Sequence, residues 1–129
     1  MLAINGGKDP AYAVPLSYVY QNNAIYLHCA REGRKLELIR QNSQVSFCVV
    51  AEAEPLADAF SMKYTSAIAF GPVSEITGEE KLQALEAFIE KYAADDDYLT
   101  KGKKYAAEAR ERTTVLRIDV RHVSAKARK

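Results

Sequence analysis

The chain has 129 residues, a formal net charge of +1 and 48% hydrophobic residues, which is the composition of an ordinary folded domain. Disordered chains combine low hydrophobicity with high net charge, so the composition argues against disorder. The 18 basic and 17 acidic residues give no basic surplus of the kind that nucleic-acid binders show. No stretch approaches the roughly 18 apolar residues of a membrane span.

The N-terminal residues and the cysteines favour a cytoplasmic protein. Residues 1–7 contain neither a basic segment nor a long apolar segment, so no signal peptide is expected. Cys29 and Cys48 show no metal or redox spacing, which indicates free thiols in a reducing compartment. The two histidines and the scattered carboxylates give no metal-ligand pattern, so no metal is expected. The length suits a single domain over residues 1–129.

The first half of the chain predicts strands and one short helix. Residues 12–20 are rich in β-branched and aromatic side chains and predict a strand, in which Pro15 indicates an edge or a bulge. A turn at residues 21–23 leads into a returning strand over residues 24–28, so the two runs predict a hairpin. The next elements are a loop over 29–33, a helix over 34–42 and a buried strand over 45–50.

The second half predicts longer helices between two strands. Residues 51–63 are expected to be irregular, and a strand over residues 64–76 is expected to bend at Gly71. Thr77 begins a Thr-x-x-Glu capping box and, with it, the clearest helix of the chain. The remaining elements are that helix over 79–94, a break at 95–97, a weaker helix over 103–112, an alternating strand over 113–123 and a polar tail.

Five or six strands joined mostly by short connections predict an antiparallel barrel with peripheral helices. A dinucleotide-binding fold fits poorly, because helices and strands do not alternate and no Gly-x-Gly-x-x-Gly segment is present. Alternation places Ile25 and Leu27 on one face of their strand and Tyr26 and His28 on the other. In the last strand, His122 is expected beside Leu116, Ile118 and Val120, at the rim of the core.

A basic cluster lies where the first predicted helix begins, and consists of Arg31, Arg34 and Lys35. A helix N-terminus offers free backbone N–H groups and the positive end of the helix dipole, and Gly33 lets the backbone approach a ligand closely. Together these groups predict a phosphate site. The alternative is a solvated turn in which Glu32 and Glu37 neutralise the cluster.

Three further features carry weaker predictions. His28 either contacts a ligand or shuttles a proton, or is a structural histidine. The basic loop is expected to lower the pKa of the Cys29 thiol, although nothing else supports a nucleophile. A tyrosine cluster either lines a flat aromatic ligand or packs in the sheet; its members are Tyr12, Tyr18, Tyr20 and Tyr26.

Five segments occur in a recognisable order: YAVPLSYVY at 12–20, IYLHCAREGRK at 25–35, VSFCVV at 45–50, YTSAIAFGPVSEI at 64–76 and RIDVRHVSAKARK at 117–129. Together they resemble the FMN-binding split barrels related to pyridoxamine 5'-phosphate oxidase. The similar branch is that of the nitroimidazole-resistance proteins, also called flavin-nucleotide-binding proteins. The likeness runs from about residue 2 to the end, and its most specific piece is His-Cys-Ala-x-x-Gly-Arg-Lys.

The resemblance implies a mostly β fold, a six-stranded antiparallel split β-barrel with peripheral α-helices. It implies a homodimer with FMN at the subunit interface, and Arg34 and Lys35 as the phosphate-binding pair beside Gly33. The strand end that runs along the flavin is His28, Cys29 and Ala30. The backbone that faces the isoalloxazine is Val14, Pro15, Leu16 and Ser17, and Ser66 falls near the ring. Relatives usually carry a helix before the first strand, which is not seen ahead of Leu2.

The resemblance further implies an FMN-dependent oxidoreductase that passes electrons from NAD(P)H to a small acceptor, with a nitroaromatic compound as one candidate. His28 is the candidate catalytic residue, because a histidine at this position is linked to activity in the nitroimidazole-resistance members. One alternative is a non-catalytic flavin- or nucleotide-binding module for storage or sensing. Another is a dimeric scaffold whose basic loop is merely solvated. Related barrels also use haem or deazaflavin, and the sequence leaves these open.

Overall fold

The computed structural model describes residues 1–93 and 96–129, with the backbone alone for residues 96–99. Its elements are, in chain order, β1 (Leu2–Ile4), β2 (Tyr12–Val14), β3 (Val19–Gln21), β4 (Ala24–Ala30), α1 (Arg34–Gln41), β5 (Gln44–Leu56), β6 (Ser61–Ile76), α2 (Gly78–Tyr92), α3 (Asp96–Ala109), β7 (Thr113–Asp119) and β8 (His122–Arg128). Short 3₁₀ turns over Ala57–Ala59 and Arg110–Arg112 precede β6 and β7. No helix among the described residues is long and apolar enough to cross a bilayer.

The described strands pair antiparallel in the order β2-β1-β5-β6-β7-β4-β3, and β8 adds to β6. The path does not close, because β2 and β3 lie at its two ends and are joined by residues 15–18. This is the mostly β, split-barrel architecture that the sequence predicts. The number of strands differs from the prediction, since the structure has eight rather than six.

The predicted strand over residues 12–20 is wrong as a single element. It divides into β2, which pairs with β1, and β3, which pairs with β4. Pro15 lies at the break, where it cannot donate a ladder hydrogen bond. The predicted β3–β4 hairpin is confirmed, and its turn residues Asn22 and Asn23 both have positive φ angles, 54° and 57°, as tight hairpins require.

The short strand β1 and two exposed strand segments were not predicted. The segment expected to be irregular, residues 51–63, instead continues the β5–β6 ladder as far as Leu56 and Ser61, with a bulge between Val50 and Glu52. The predicted strand over residues 113–123 is wrong as a single element, because β7 ends at Asp119 and the chain then turns. Residues 122–123 and the expected polar tail form β8, which pairs along β6. Every residue of β8 is exposed, so neither face gives the alternation by which half-buried strands are recognised. His122 consequently lies exposed on β8, and its prediction as a core-rim residue is wrong.

The helices follow the predictions with three corrections. Thr77 is the N-cap of α2 but makes no side-chain capping hydrogen bond, so the predicted capping box does not form. The helix ends at Tyr92, and the predicted end at Ala94 lies outside the described residues. The expected break at 95–97 is wrong for Asp96 and Asp97, which belong to α3, and Asp95 is not described.

Two apolar clusters lie on opposite faces of the β4–β7 pair. The barrel cluster contains Phe47 together with Leu27, Leu116 and the buried side of α1. The helix-covered cluster contains Tyr26, Val115 and Phe88 of α2. The pairing of Leu27 with Leu116 and of His28 with Val115 explains the division, because neighbouring residues of a strand face opposite sides.

Phe47 and Phe60 provide a matched test of the barrel core. Phe47 is 1% exposed and Phe60, at the tip of the β5–β6 hairpin, is 98% exposed. We expect Phe47→Ala to lower the free energy of unfolding by about 3–5 kcal/mol, because it leaves a cavity. Phe60→Ala should change it by less than about 0.5 kcal/mol. Urea denaturation followed by circular dichroism measures both, and equal effects of the two substitutions would contradict the core assignment.

Candidate functional site

The N-terminus of α1 presents free backbone donors. Gly33 is the N-cap, and no side chain caps the helix there. Its φ angle is 148°, a conformation that residues with a Cβ rarely adopt. The first helical hydrogen bond runs from the Glu37 amide to the Gly33 carbonyl at 3.2 Å, so the amides of residues 34–36 have no acceptor within the helix.

Arg34 lies in the first turn of α1 and is held by two carboxylates. One of its Nη atoms lies 2.6 Å from Asp9 Oδ2, and the other lies 3.8 Å from Glu37 Oε2. The side chains of Arg34 and Asp9 are 42% and 65% exposed. Exposed ion pairs contribute little net stability, so this guanidinium is free to exchange its partner for an anion.

Asp9 was not predicted as a partner of Arg34. Asp9 lies in the loop between β1 and β2, where its amide donates to the Gly6 carbonyl. It lines an open cavity of about 480 Å³ between β1 and the start of β5. The charged groups at the N-terminus of α1 therefore include the Asp9 carboxylate as well as the basic cluster.

Cys29 points into the barrel cluster from the end of β4. Burial raises the pKa of its thiol, Glu75 raises it further, and the charges of Lys35 and Arg40 oppose that rise. The expectation that the basic loop lowers the Cys29 pKa is therefore wrong, because desolvation outweighs the nearby cations. The thiol is protonated at neutral pH and is no activated nucleophile.

His28 lies on the other face of β4, away from Cys29. Its ring meets the ring of Phe88 edge-on, with the centroids 4.6 Å apart and the planes at 88°. With α2 and α3 it borders a cavity of about 140 Å³, which Tyr105 and Thr113 also line. Although part of the ring remains exposed, burial lowers the pKa of His28, so the imidazole is neutral at pH 7.

Residues 14–17, called the strap below, lead out of β2. Their side chains alternate between the core and the solvent. Val14 and Leu16 pack against the barrel cluster, whereas Pro15 and Ser17 are exposed. Just beyond it, Tyr18 borders an apolar cavity of about 400 Å³. A flat apolar group can therefore lie against this part of the chain.

Ser66 lies on β6, between Val50 of β5 and Lys126 of β8. The next residue, Ala67, lines the apolar cavity, and so does Ala69 on the same face of β6. Because successive strand residues face opposite sides, Ser66 lies on the face of β6 away from that cavity.

The structure thus distributes the candidate residues over separate places. It brings Gly33, Arg34 and Lys35 together at the start of α1, with Cys29 beneath them. Ala30 ends β4 and is exposed. The strap and Ser66 lie on other elements, and His28 faces α2 and α3.

Sequence comparison assigns the family. The family described as pyridoxamine 5'-phosphate oxidase matches residues 1–127, which is nearly the whole chain. The chain therefore belongs to this family, and the resemblance drawn from its motifs is confirmed. A comparison with curated proteins gives no match.

Solved structures agree with the fold. A candidate 5-nitroimidazole antibiotic resistance protein from Bacteroides thetaiotaomicron superposes with a TM-score of 0.78 at 25% identity, covering 96% of this chain and 73% of that one. An FAD- and haem-binding protein from Mycobacterium smegmatis gives 0.67 at 16% identity, covering 99% and 64%. A haem storage protein from Vibrio cholerae gives 0.67 at 11% identity, covering 98% and 82%.

The environment of His28 predicts its titration. We expect the pKa of His28 to lie below its usual value of 6.5, because Phe88 and the adjoining helices desolvate the charged ring. Since the unfolded chain then binds the proton more readily, the contribution of His28 to stability falls as the pH drops below 6.5. An NMR titration of the imidazole protons measures the midpoint, with His28→Gln to assign the signal. A midpoint at or above 6.5 would contradict the assigned environment.

Proposed function

We propose that this chain is an FMN-binding oxidoreductase that passes electrons from NAD(P)H to a small acceptor, with a nitroaromatic compound as a test acceptor. The observation that carries the proposal is the donor set at the start of α1: three backbone amides, the Arg34 guanidinium and the Lys35 ammonium. Such a set suits a phosphate monoester, because a helix N-terminus and charge-assisted donors act on the same anion. Membership of the family supports FMN as the compound that carries this phosphate.

The residues present fit the cofactor by their chemistry. Gly33, Arg34 and Lys35 would hold the phosphate, and the strap and the apolar cavity beside Tyr18 offer surface for a flat ring. When bound, FMN supplies the redox centre. This chain's own residues supply binding and orientation, and they set the electrostatics around the flavin.

The proposal includes a homodimer whose subunits complete the flavin site together. Several large apolar side chains are exposed on β5, β6 and the start of β8, namely Val50, Met62, Phe70 and Val123. Exposed apolar side chains on a sheet are candidates for an interaction surface. A second copy of the chain would cover it.

His28 has the properties of a group that handles a proton near neutral pH. Its imidazole is neutral, so it can accept a proton through one nitrogen or donate a hydrogen bond through the other. In this proposal it acts on the acceptor rather than on the phosphate, since it lies on the opposite face of β4 from α1.

A second candidate function is a non-catalytic module that binds a flavin or another nucleotide for storage or sensing. It is favoured by the position of His28 on the opposite face of β4 from α1, because binding a phosphate at α1 does not require His28. The scaffold hypothesis predicts no flavin binding at all.

The phosphate assignment is tested with two flavins that differ in one group. Arg34→Gln should weaken FMN binding about tenfold to a hundredfold, because a hydrogen bond to a charged group is lost. It should leave riboflavin, which lacks the phosphate, within about twofold. Arg121→Gln is the matched control, since it removes the same charge away from α1. Quenching of flavin fluorescence gives the affinities, and sedimentation of the same samples gives the subunit number.

An Arg34→Gln variant that loses affinity for both flavins equally would contradict the phosphate assignment. A wild-type chain that binds neither flavin, but binds haem in an absorption titration, would overturn FMN as the cofactor.

Catalysis is tested with FMN-loaded protein, NADH or NADPH, and a nitroimidazole. We expect His28→Ala to lower turnover about a hundredfold, which is the usual contribution of an acid–base group, with FMN affinity within about twofold of wild type. Lys104→Ala, exposed on α3 and outside the proposed dimer surface, is the control and should keep wild-type turnover. Unchanged turnover in His28→Ala would exclude a catalytic His28. A bound flavin that neither donor reduces would instead favour the storage or sensing function.

A further inference from the structure

The last turn of α2 contacts the chain immediately after the strap. Lys91 Nζ lies 2.6 Å from the carbonyl oxygen of Tyr18. The same ammonium lies 3.7 Å from the centroid of the Tyr18 ring and 5.1 Å from that of Tyr92. One cation therefore contacts a backbone carbonyl and two aromatic rings, which combines a charge-assisted hydrogen bond with cation–π contacts.

Tyr92 holds the same backbone segment through its hydroxyl group. The hydroxyl donates to the Tyr18 carbonyl at 3.0 Å and accepts from the Tyr18 amide at 3.3 Å. Tyr18 precedes β3 and follows β2, so neither strand ladder includes it. Its backbone groups, which need partners wherever water is excluded, are bonded to α2 instead.

Polar and charged groups around Tyr92 shift the pKa of its hydroxyl group. Burial by itself raises the pKa of the Tyr92 hydroxyl, but hydrogen bonds from Tyr18, Lys91 and Ser17, with the charge of Lys91, lower it overall. The Tyr92 ring stacks on Phe88, with the centroids 6.2 Å apart and the planes at 16°. The contacts of Tyr92 thus extend from the strap to the helix-covered cluster.

On its other side Tyr18 is fixed to the barrel. Its ring lies 5.3 Å from the ring of Phe47, centroid to centroid, at an angle of 58°. Tyr18 therefore contacts α2 on one side and the barrel cluster on the other. Since the strap ends at the residue before Tyr18, this contact fixes one end of the strap, and the pairing of Val14 with Leu2 fixes the other.

We propose that Lys91 and Tyr92 are positioning residues that hold the strap in the conformation that receives the flavin ring. This inference rests on the proposed function, in which the backbone of the strap faces the isoalloxazine. A strap that is already ordered spares the entropy that a mobile segment loses when a ligand orders it. Lys91 and Tyr92 therefore act on the ring end of the flavin, whereas Arg34 acts on its phosphate.

Comparing two flavins separates these two roles. Lys91→Met should weaken FMN and riboflavin by the same factor, about tenfold, because it removes a charge-assisted hydrogen bond that holds the strap. Arg34→Gln should weaken FMN alone. Lys104→Met is the matched control, since Lys104 is exposed on α3, and it should leave both affinities unchanged. Lys91→Arg keeps a cation that can reach the carbonyl and should restore most of the affinity.

Tyr92→Phe provides a second variant that keeps the stacking on Phe88 and removes only the hydroxyl. In the flavin-free protein, both Lys91→Met and Tyr92→Phe should speed amide hydrogen exchange at residues 16–19 at least tenfold, without faster exchange in β4. This readout does not depend on any flavin, and a merely structural loss would raise exchange throughout the core.

The outcomes are distinct. A wild-type chain that binds neither flavin overturns the proposed function, and the positioning role with it. A wild-type chain that binds both flavins, with unchanged affinities in Lys91→Met and Tyr92→Phe, overturns the positioning role alone. A loss confined to FMN in Lys91→Met also overturns it, because Lys91 would then act on the phosphate.

Discussion

At Gly71, β6 exchanges β8 for β7 as its neighbour along one edge, and the rest of the structure depends on this exchange. Before Gly71, β6 pairs with β8; after it, from Val73 onward, β6 pairs with β7. At this point the Asp119 carbonyl occupies the space that a Cβ on Gly71 would need. Only glycine admits this approach, and the backbone amide of Arg121 donates to the Phe70 carbonyl at 2.9 Å.

This exchange gives the β4–β7 pair two different buried faces. One face closes the barrel around Phe47, and α2 and α3 cover the other. Consecutive residues of β4 therefore meet opposite surroundings, His28 under Phe88 and Cys29 inside the barrel. Burial disfavours the charged form of each group, so the imidazole is neutral and the thiol is protonated. The positive charge of the site is left to Arg34 and Lys35, outside the core at the start of α1.

Burial decides how much of the fold the sequence predicts. The strands with one buried face, such as β4 and β7, and the amphipathic helix α2 were predicted because their apolar residues recur at the period of the element. The end of the β5–β6 hairpin and β8 were missed, because they are exposed on both faces and pair through the backbone alone. The number of strands exceeds the prediction for three reasons: β8 was missed, residues 12–20 divide into β2 and β3, and β1 has only three residues, too few to show a period.

The same distinction holds within the site. The grouping of Gly33, Arg34 and Lys35 was predicted from the sequence because a helix N-terminus is built from consecutive residues. Its partner Asp9 was missed, since it lies 25 residues away from Arg34, and Lys91 lies 73 residues from Tyr18. No local spacing encodes such contacts, because the sheet topology alone brings these residues together. The two candidate functions differ in the residues that they need. A binding module needs only the donors at the start of α1 and the strap. An oxidoreductase of the proposed kind also needs His28, which lies six residues before Arg34 in the same motif but faces the side of β4 opposite to α1.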